Sequence, residues 1–383
     1  MLCDPRFSRV QEVFSRHFAE GEELGAAFAV YLDGELVVDL WDGIADRHTG
    51  RPWERDTPVY AYSCTKAVTA TVLLQLAARG LVDVTAPVAE VWPEFAAEGK
   101  GSVTVEHLLT HQAGLPVVEE EVPVEEFEDL PAIADRLARQ RPLWEPGTAH
   151  GYHALTYGFL VGEVVRRVSG KSVGELVAAE ISGPLGLDLW VGVPDDVIPR
   201  TARLQAGERL PEPTETVVPT GDDAFSRMAA ASRDPQSLMN RALGNPGMHR
   251  LKGGANHPSI LRAGWPAAGM VTTARSLAGF YKALIGGEIL PKDTLADARR
   301  TRVNGPDQVL YIDSAFGLGY MTGALTFFNP SPTAFGHTGM GGFIGLGDVE
   351  RGVALAYTMN RMANAVSGSM RGYRLTEAVY QSL

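Results

Sequence analysis

Ser63 and Lys66 stand three positions apart in the run Tyr60-Ala61-Tyr62-Ser63-Cys64-Thr65-Lys66-Ala67-Val68, and positions three apart are neighbours on a helix surface. A hydroxyl and an amine held side by side can do nucleophilic chemistry if the amine is free to take the hydroxyl proton. Near the positive end of a helix and away from water, an amine has reason to lose its own proton close to neutral pH. The spacing alone is weak: with seventeen serines and six lysines in the chain, chance supplies about a quarter of such a match. Taken by itself, Ser63 reads as a helix N-cap before it reads as a nucleophile.

Two further stretches offer chemistry. In Trp144-Glu145-Pro146-Gly147-Thr148-Ala149-His150-Gly151-Tyr152 a Pro-Gly turn leads to a tyrosine just ahead of a helical run, where a phenol could point into a cleft. Tyrosines so placed are more often core residues, and Tyr157 is the decoy. In Phe335-Gly336-His337-Thr338-Gly339-Met340-Gly341-Gly342-Phe343 the glycines let a ligand approach the main chain, and exposed N–H groups there could receive an oxyanion. The plain alternative is a glycine-rich strand end.

These residues need a scaffold. Lys66 to Arg79 is apolar around most of its circumference, the pattern of a helix inside a larger core, with Gly80 as its C′ stop. Arg6 to Glu20 reads as an amphipathic helix, and Ala26–Leu32 and Glu35–Trp41 as strands joined by an Asp33-Gly34 turn. The connection from Asp42 to Pro58 is turn-rich. Short helices are expected at Val84–Val88, Trp92–Phe95 and Val105–His111, longer ones at Ile133–Gln140 and Phe159–Val168. Glu119 to Asp129 is an acidic solvated face, and Ile198 to Pro258 has no clear period and reads as irregular structure rimming a site. The tail returns to regular elements: a helix over Thr273–Ile285, strands at Ala315–Met321, Thr333–His337, Gly342–Gly347 and Val353–Met359, and a helix from Val366 to Leu383. Strands at both ends with helices between them imply an α/β (α+β) fold whose antiparallel sheet is assembled from both chain ends and flanked by helices. The expected division is a discontinuous domain, 1–80 with 265–383, a mostly helical region over 81–264, and a site in the cleft between them.

The 383 residues are 45% hydrophobic and 21% charged, with a formal net charge of −12. That balance suits a large buried core and, without a Lys/Arg cluster, argues against nucleic-acid or anionic-membrane partners. The N-terminus shows no basic region followed by an apolar run, and no segment is long and apolar enough to span a bilayer. A soluble cytoplasmic protein is expected. Cys3 and Cys64 are too few for a disulfide framework and read as thiols. Among the nine histidines only His107 and His111 have metal-ligand spacing; no carboxylate completes the set, so a structural role is expected and no metal or cofactor is invoked.

Taken in order, Ser63-x-x-Lys66, Pro146-Gly147 with Tyr152, and His337-Thr338-Gly339 resemble the serine hydrolases of the penicillin-binding protein and class C β-lactamase type. Leu108–Pro116 and Ala267–Ala274 are similar to linking segments of that superfamily, so the resemblance runs over about residues 7 to 381. It implies a β-lactamase/transpeptidase-like fold, Ser63 as acylated nucleophile, Lys66 and Tyr152 as the base system, and the Ser63 and Met340 N–H groups as oxyanion hole. His337 and Gly339 would contact substrate. How Lys66 and Tyr152 share a proton is left open.

Two departures select a branch. His337 stands where β-lactamases commonly carry a lysine, and Ala154 where they commonly carry an amide-binding asparagine. With the absent leader these make the chain most similar to family VIII carboxylesterases, implying hydrolysis of short-chain carboxylic esters, small-molecule substrates, through an acyl-serine. Trp41, Trp144 and Trp265 offer an apolar wall or core packing. Rival readings are a transacylase delivering the acyl group to an amine or alcohol, a β-lactamase or D-amino-peptidase, and a non-enzymatic scaffold on a hydrolase fold.

Overall fold

Gly25–Leu32 (β2) and Glu35–Asp46 (β3) form the expected hairpin, with Asp33 at φ 50° and Gly34 at φ 87° in its two-residue turn, the left-handed pair that a type I′ turn requires. In the computed structural model, which describes residues 1–206, 224–323 and 331–383, Leu2–Cys3 (β1) lies on the outer side of β3. The rest of the sheet comes from the far end of the chain: Val303–Pro306 (β8), Asp313–Phe316 (β9), Met321–Thr322 (β10), Ala334–Thr338 (β11), Ile344–Asp348 (β12) and Val353–Met359 (β13). Its order is β1-β3-β2-β13-β12-β11-β10-β9-β8, with Arg51–Pro52 (β4) also on β3. Leu32 pairs with Val353 and Ala26 with Met359, so the two chain ends meet at the centre of the sheet.

Strands β12 and β13 are buried along their whole length, as strands covered on both faces must be. Gly345 faces Leu277 and Tyr281 of the helix Ala274–Gly286, while its neighbour Ile344 faces Gly372 of the helix Met370–Tyr380. The alternation of side chains thereby puts one helix on each face. Helix α1 (Ser8–Ala19) packs beside the C-terminal helix.

Helix α2 (Thr65–Ala78) is buried from Thr65 through Leu74, and Gly80 follows its end at φ 73°. A second, three-stranded sheet that short strands leave without a legible period orders Val59–Tyr60 (β5), Met270–Thr272 (β7) and Leu189–Val191 (β6). It ties the approach to Ser63 to the 269–272 segment, with the Ala61 N–H donating to Met270 O at 2.8 Å. Two short helices, α3 (Val105–Leu109) and α4 (Leu130–Arg139), precede α5 (Thr156–Ser169), which crosses α2. A Cβ on Gly158 of α5 would run into the backbone of Pro266 and Ala267. Gly158→Ala is therefore expected to cost about 1–3 kcal/mol by overpacking and to lower Tm. A Tm equal to that of the wild type would mean that α5 has room to retreat.

Several expectations need correction. Strand β3 continues through Asp46 and pairs with β4, so Asp42–Asp46 is not turn. Ala315–Met321 is not one strand, because Gly317–Tyr320 forms a turn, Gly317 N–H to Tyr320 O at 2.9 Å, between β9 and β10. Ile198–Pro258 is not irregular throughout: it carries helices Ala224–Arg233 and Leu238–Gly244, while its 207–223 portion lies outside the described residues. Helical structure near Pro87 begins only at Val88. The last helix starts at Met370, capped by Ser369, because 361–368 packs as a loop against residues 339–342. Among the described residues, no helix is long and apolar enough to cross a membrane.

Candidate active site

The chain turns into α2 through Tyr62, which adopts φ 45°, a left-handed conformation that a non-glycine residue holds only when its surroundings enforce it. Here they do. The Tyr62 ring sits against Tyr60 at 4.9 Å and Phe343 at 6.2 Å. Its carbonyl accepts the Thr65 hydroxyl at 2.5 Å, and that hydroxyl in turn accepts the Met270 N–H at 3.0 Å. Ser63 follows, one residue ahead of the N-cap Cys64, and no side chain caps this helix. The Ser63 hydroxyl is thus not consumed by the helix start.

Lys66 is fully buried, with Nζ 3.1 Å from Ser63 Oγ, 2.7 Å from Ala154 O and 3.0 Å from Ala267 O. Burial pushes its pKa well below the ordinary lysine range, because no carboxylate compensates for lost hydration. A neutral amine has two N–H bonds and one lone pair. In that form the two carbonyls would take the N–H bonds and the lone pair would face the Ser63 hydroxyl.

Tyr152 is buried beside Ser63 on the cavity wall and presents its ring 4.7 Å from Lys66 Nζ. Burial drives its pKa up, with the nearby Ser63 hydroxyl opposing. Burial thus acts on both groups in the same sense, favouring the uncharged amine and the uncharged phenol. Behind Tyr152 lie Phe316, stacked at 6.1 Å, and His111 at 5.0 Å. His111 Nδ1 accepts the His153 N–H at 3.0 Å, and His107 Nδ1 accepts the Thr104 N–H at 3.2 Å, so both histidines of the spacing pair serve the main chain. Burial holds His111 well below its usual pKa and brings His153 down to about 4.

Met340 begins a single helical turn after β11. Neither its N–H nor that of Ser63 donates to another described residue, as an oxyanion hole requires. The 361–368 loop braces this turn: Gly341 N–H donates to Ala365 O at 3.0 Å and Ala363 N–H to Gly341 O at 2.8 Å. His337 is buried behind Tyr152, ring centroids 6.0 Å apart, and its Nδ1 donates to Thr338 O at 2.6 Å. Burial brings His337 down to about 3, and its Nε2 has no partner among the described residues. Gly339 is buried too, its N–H committed to Phe343 O at 2.8 Å. The structure gathers Ser63, Tyr152 and Met340 at one surface, with Lys66 buried directly behind Ser63, and buries His337 and Gly339 as well.

That surface opens into a cavity of about 270 Å³ lined by Tyr62, Ser63 and Tyr152 with Leu155, Leu243, Met248, Ala255, Ala268 and Val366. Among the described residues no Lys, Arg, Asp or Glu side chain lines it. None of Trp41, Trp144 and Trp265 does either; Trp265 is core, its Nε1–H on Phe127 O at 2.8 Å. A larger cavity of about 630 Å³ borders α5 and β6, where Glu163 and Arg166 pair with each other. There the Ser172 hydroxyl bonds the Glu175 carboxylate at 2.9 Å, and the two are committed to a helix capping box. Sequence reasoning overlooked the carbonyls of Ala154 and Ala267, the left-handed Tyr62, and the pocket wall from Leu243, Met248 and Ala255. Main-chain contacts carry no residue-type signal, and the wall came from a stretch without period.

The profile of the family described as Beta-lactamase matches residues 10–380. The chain is 37% identical over 372 residues to an esterase/beta-lactamase, LipL, of Mycobacterium tuberculosis, a match covering 94% of this chain and 82% of that protein. Among solved structures it is similar to a family VIII carboxylesterase at 36% identity and TM-score 0.88, covering 100% of this chain and 99% of that one. A penicillin-binding protein homologue from Caulobacter crescentus is as similar, at 37% identity and TM-score 0.88, with the same coverage of 100% and 99%.

Proposed function

Because the chain belongs to the Beta-lactamase family, we propose that it is a serine esterase in which uncharged carboxylic esters acylate Ser63, with Lys66 as base and Tyr152 as proton carrier to the leaving alcohol. The observation that carries this reading is the buried amine 3.1 Å from Ser63 Oγ beside a mostly apolar cavity that, among the described residues, carries His249 but no Lys, Arg, Asp or Glu in its lining. As Ser63 attacks the ester carbonyl, its proton moves to the Lys66 lone pair. The ammonium so formed is held by the carbonyls of Ala154 and Ala267 and by the Tyr152 ring face. The carbonyl oxygen, now negative, takes the N–H groups of Ser63 and Met340. Tyr152 gives its proton to the leaving alkoxide and recovers one from Lys66. Water then repeats the sequence in the opposite sense and releases the acid.

A β-lactam or D-amino-peptide carries a carboxylate that wants a cation. His337 is buried and neutral, which favours esters over those substrates. The direct test measures p-nitrophenyl butyrate and nitrocefin turnover by the wild-type protein and takes an intact mass after acid quench. Faster ester turnover with one butyryl group on Ser63 is expected. A kcat/KM for nitrocefin about tenfold above that for the ester would replace this reading with lactam hydrolysis. Added alcohols or amines in the same assay show, by product ratio, whether water is the acceptor.

The cavity wall also sets a size limit. Met248 lines the same cavity as Ser63, and its Sδ accepts the Tyr60 hydroxyl at 3.9 Å. Met248→Ala is expected to raise the octanoate-to-butyrate ratio of kcat/KM about tenfold, the worth of a methylene or two in a hydrophobic site. An unchanged ratio would put the acyl chain elsewhere.

A further inference from the structure

Tyr152 lies in 151–153, a stretch with no helix or strand of its own, so its main chain must be fixed from outside. Two distant segments do this. On one side Gly151 N–H donates to His111 O and His153 N–H to His111 Nδ1, both at 3.0 Å. On the other is the loop between β8 and β9, and its centre is Asp307, a carboxylate only 3% exposed. Asp307 Oδ1 accepts the N–H groups of Val309 and Leu310 at 2.9 Å and of Tyr152 at 3.0 Å. Oδ2 accepts the Ser314 hydroxyl at 2.9 Å, and Ser314 Oγ meets His150 Nε2 at 3.0 Å.

A carboxylate that merely shaped its own loop would need only the Val309 and Leu310 donors, as in an Asx turn. Here both oxygens reach further, to the stretch that carries Tyr152. Gln308 N–H adds a third tie, to His150 O at 3.1 Å. We propose that Asp307 is the positioning residue for Tyr152, holding its main chain in register with Ser63 and Lys66 from across the site. The inference rests on Tyr152 acting as proton carrier. A buried carboxylate satisfied by four donors is a stiff anchor, and displacing a catalytic group by about 1 Å can cost on the order of 10² in rate.

The test compares p-nitrophenyl butyrate kinetics of Asp307→Ala, Asp307→Asn, Tyr152→Phe and the Asp307→Ala/Tyr152→Phe double variant, each below its Tm. Asp307→Ala is expected to lower kcat about 10²-fold with KM within about threefold. Asp307→Asn, which keeps an acceptor oxygen for the Tyr152 N–H, should recover most of that loss. In the Tyr152→Phe background, Asp307→Ala should add less than about a threefold loss, since residues acting as a unit are non-additive. The full loss in both backgrounds, or an Asp307→Ala variant as active as wild type, overturns the proposal. Full activity in Tyr152→Phe sinks instead the reading of Tyr152, and the proposal with it. If Asp307→Ala does not fold, Ser314→Ala, which frees one oxygen of the anchor, takes its place. A several-fold loss of kcat confined to the Tyr152 background supports the proposal, and an equal loss in both backgrounds or none in either overturns it.

Discussion

Ser63→Ala is expected to lower kcat/KM for p-nitrophenyl butyrate by on the order of 10⁴ to 10⁶, the range seen when a serine hydrolase loses its nucleophile. The fold should hardly notice. Cys64, not Ser63, is the N-cap of α2, no side chain caps that helix, and among the described residues the Ser63 hydroxyl bonds the Lys66 amine rather than the helix start. Its removal therefore costs about 1 kcal/mol or less, and the variant's Tm should stay near that of the wild type. The pairing of a large kinetic effect with a small thermal one is the informative result. A variant retaining more than about a hundredth of wild-type turnover would remove Ser63 from the chemistry, and an unfolded one would show that the Tyr62 turn depends on the hydroxyl.

Lys66→Met is expected to cost about 10³-fold in kcat, at the upper part of what a positioned general base contributes, and to change how stability responds to pH. In the folded protein the buried Lys66 holds its proton well below the ordinary value of 10.5. The unfolded chain thus binds the proton more tightly, and folding becomes more favourable as pH rises towards 10.5. Methionine carries no such group. The Tm of the wild type should accordingly gain on that of Lys66→Met between about pH 7 and about pH 9.5. A difference that is flat over that interval would mean that the amine is protonated and solvated in the native state. Residual activity in the variant that rises with pH would point to Tyr152 acting as base in its place.

How much of this could be seen in the residues alone depended on whether a feature is written in side-chain type. Ser63, Lys66 and Tyr152 are chemically distinctive, and the apolar circumference of α2 announced that Lys66 would be buried beside Ser63. The central hairpin was marked by Asp33-Gly34, and the long apolar strands of the tail by their composition. What stayed hidden was what the main chain does. The acceptors of Lys66 are the carbonyls of two alanines, Ala154 and Ala267, and any residue there would offer the same oxygen. Strands β5, β6 and β7 have two or three residues each, too few for a period to show. The place of His337 was legible but its surroundings were not: it read as a substrate contact, and it is only 1% exposed.

The pairing of β2 with β13 joins residues about 320 positions apart, and this fixes an order of events during synthesis. A chain made from its N-terminus completes β2 early, yet the neighbour that covers its edge is among the last segments produced. Until then an apolar strand edge stays open to other chains, and long-range closure of this kind is slow. A truncation that removes Val353–Met359 should aggregate for that reason. On the proposed mechanism the same delay keeps the nascent chain chemically silent: the turn that aims Ser63 leans on Met270, and the second proposed oxyanion donor waits for residue 340. The proposed nucleophile is translated early and armed only when the sheet closes.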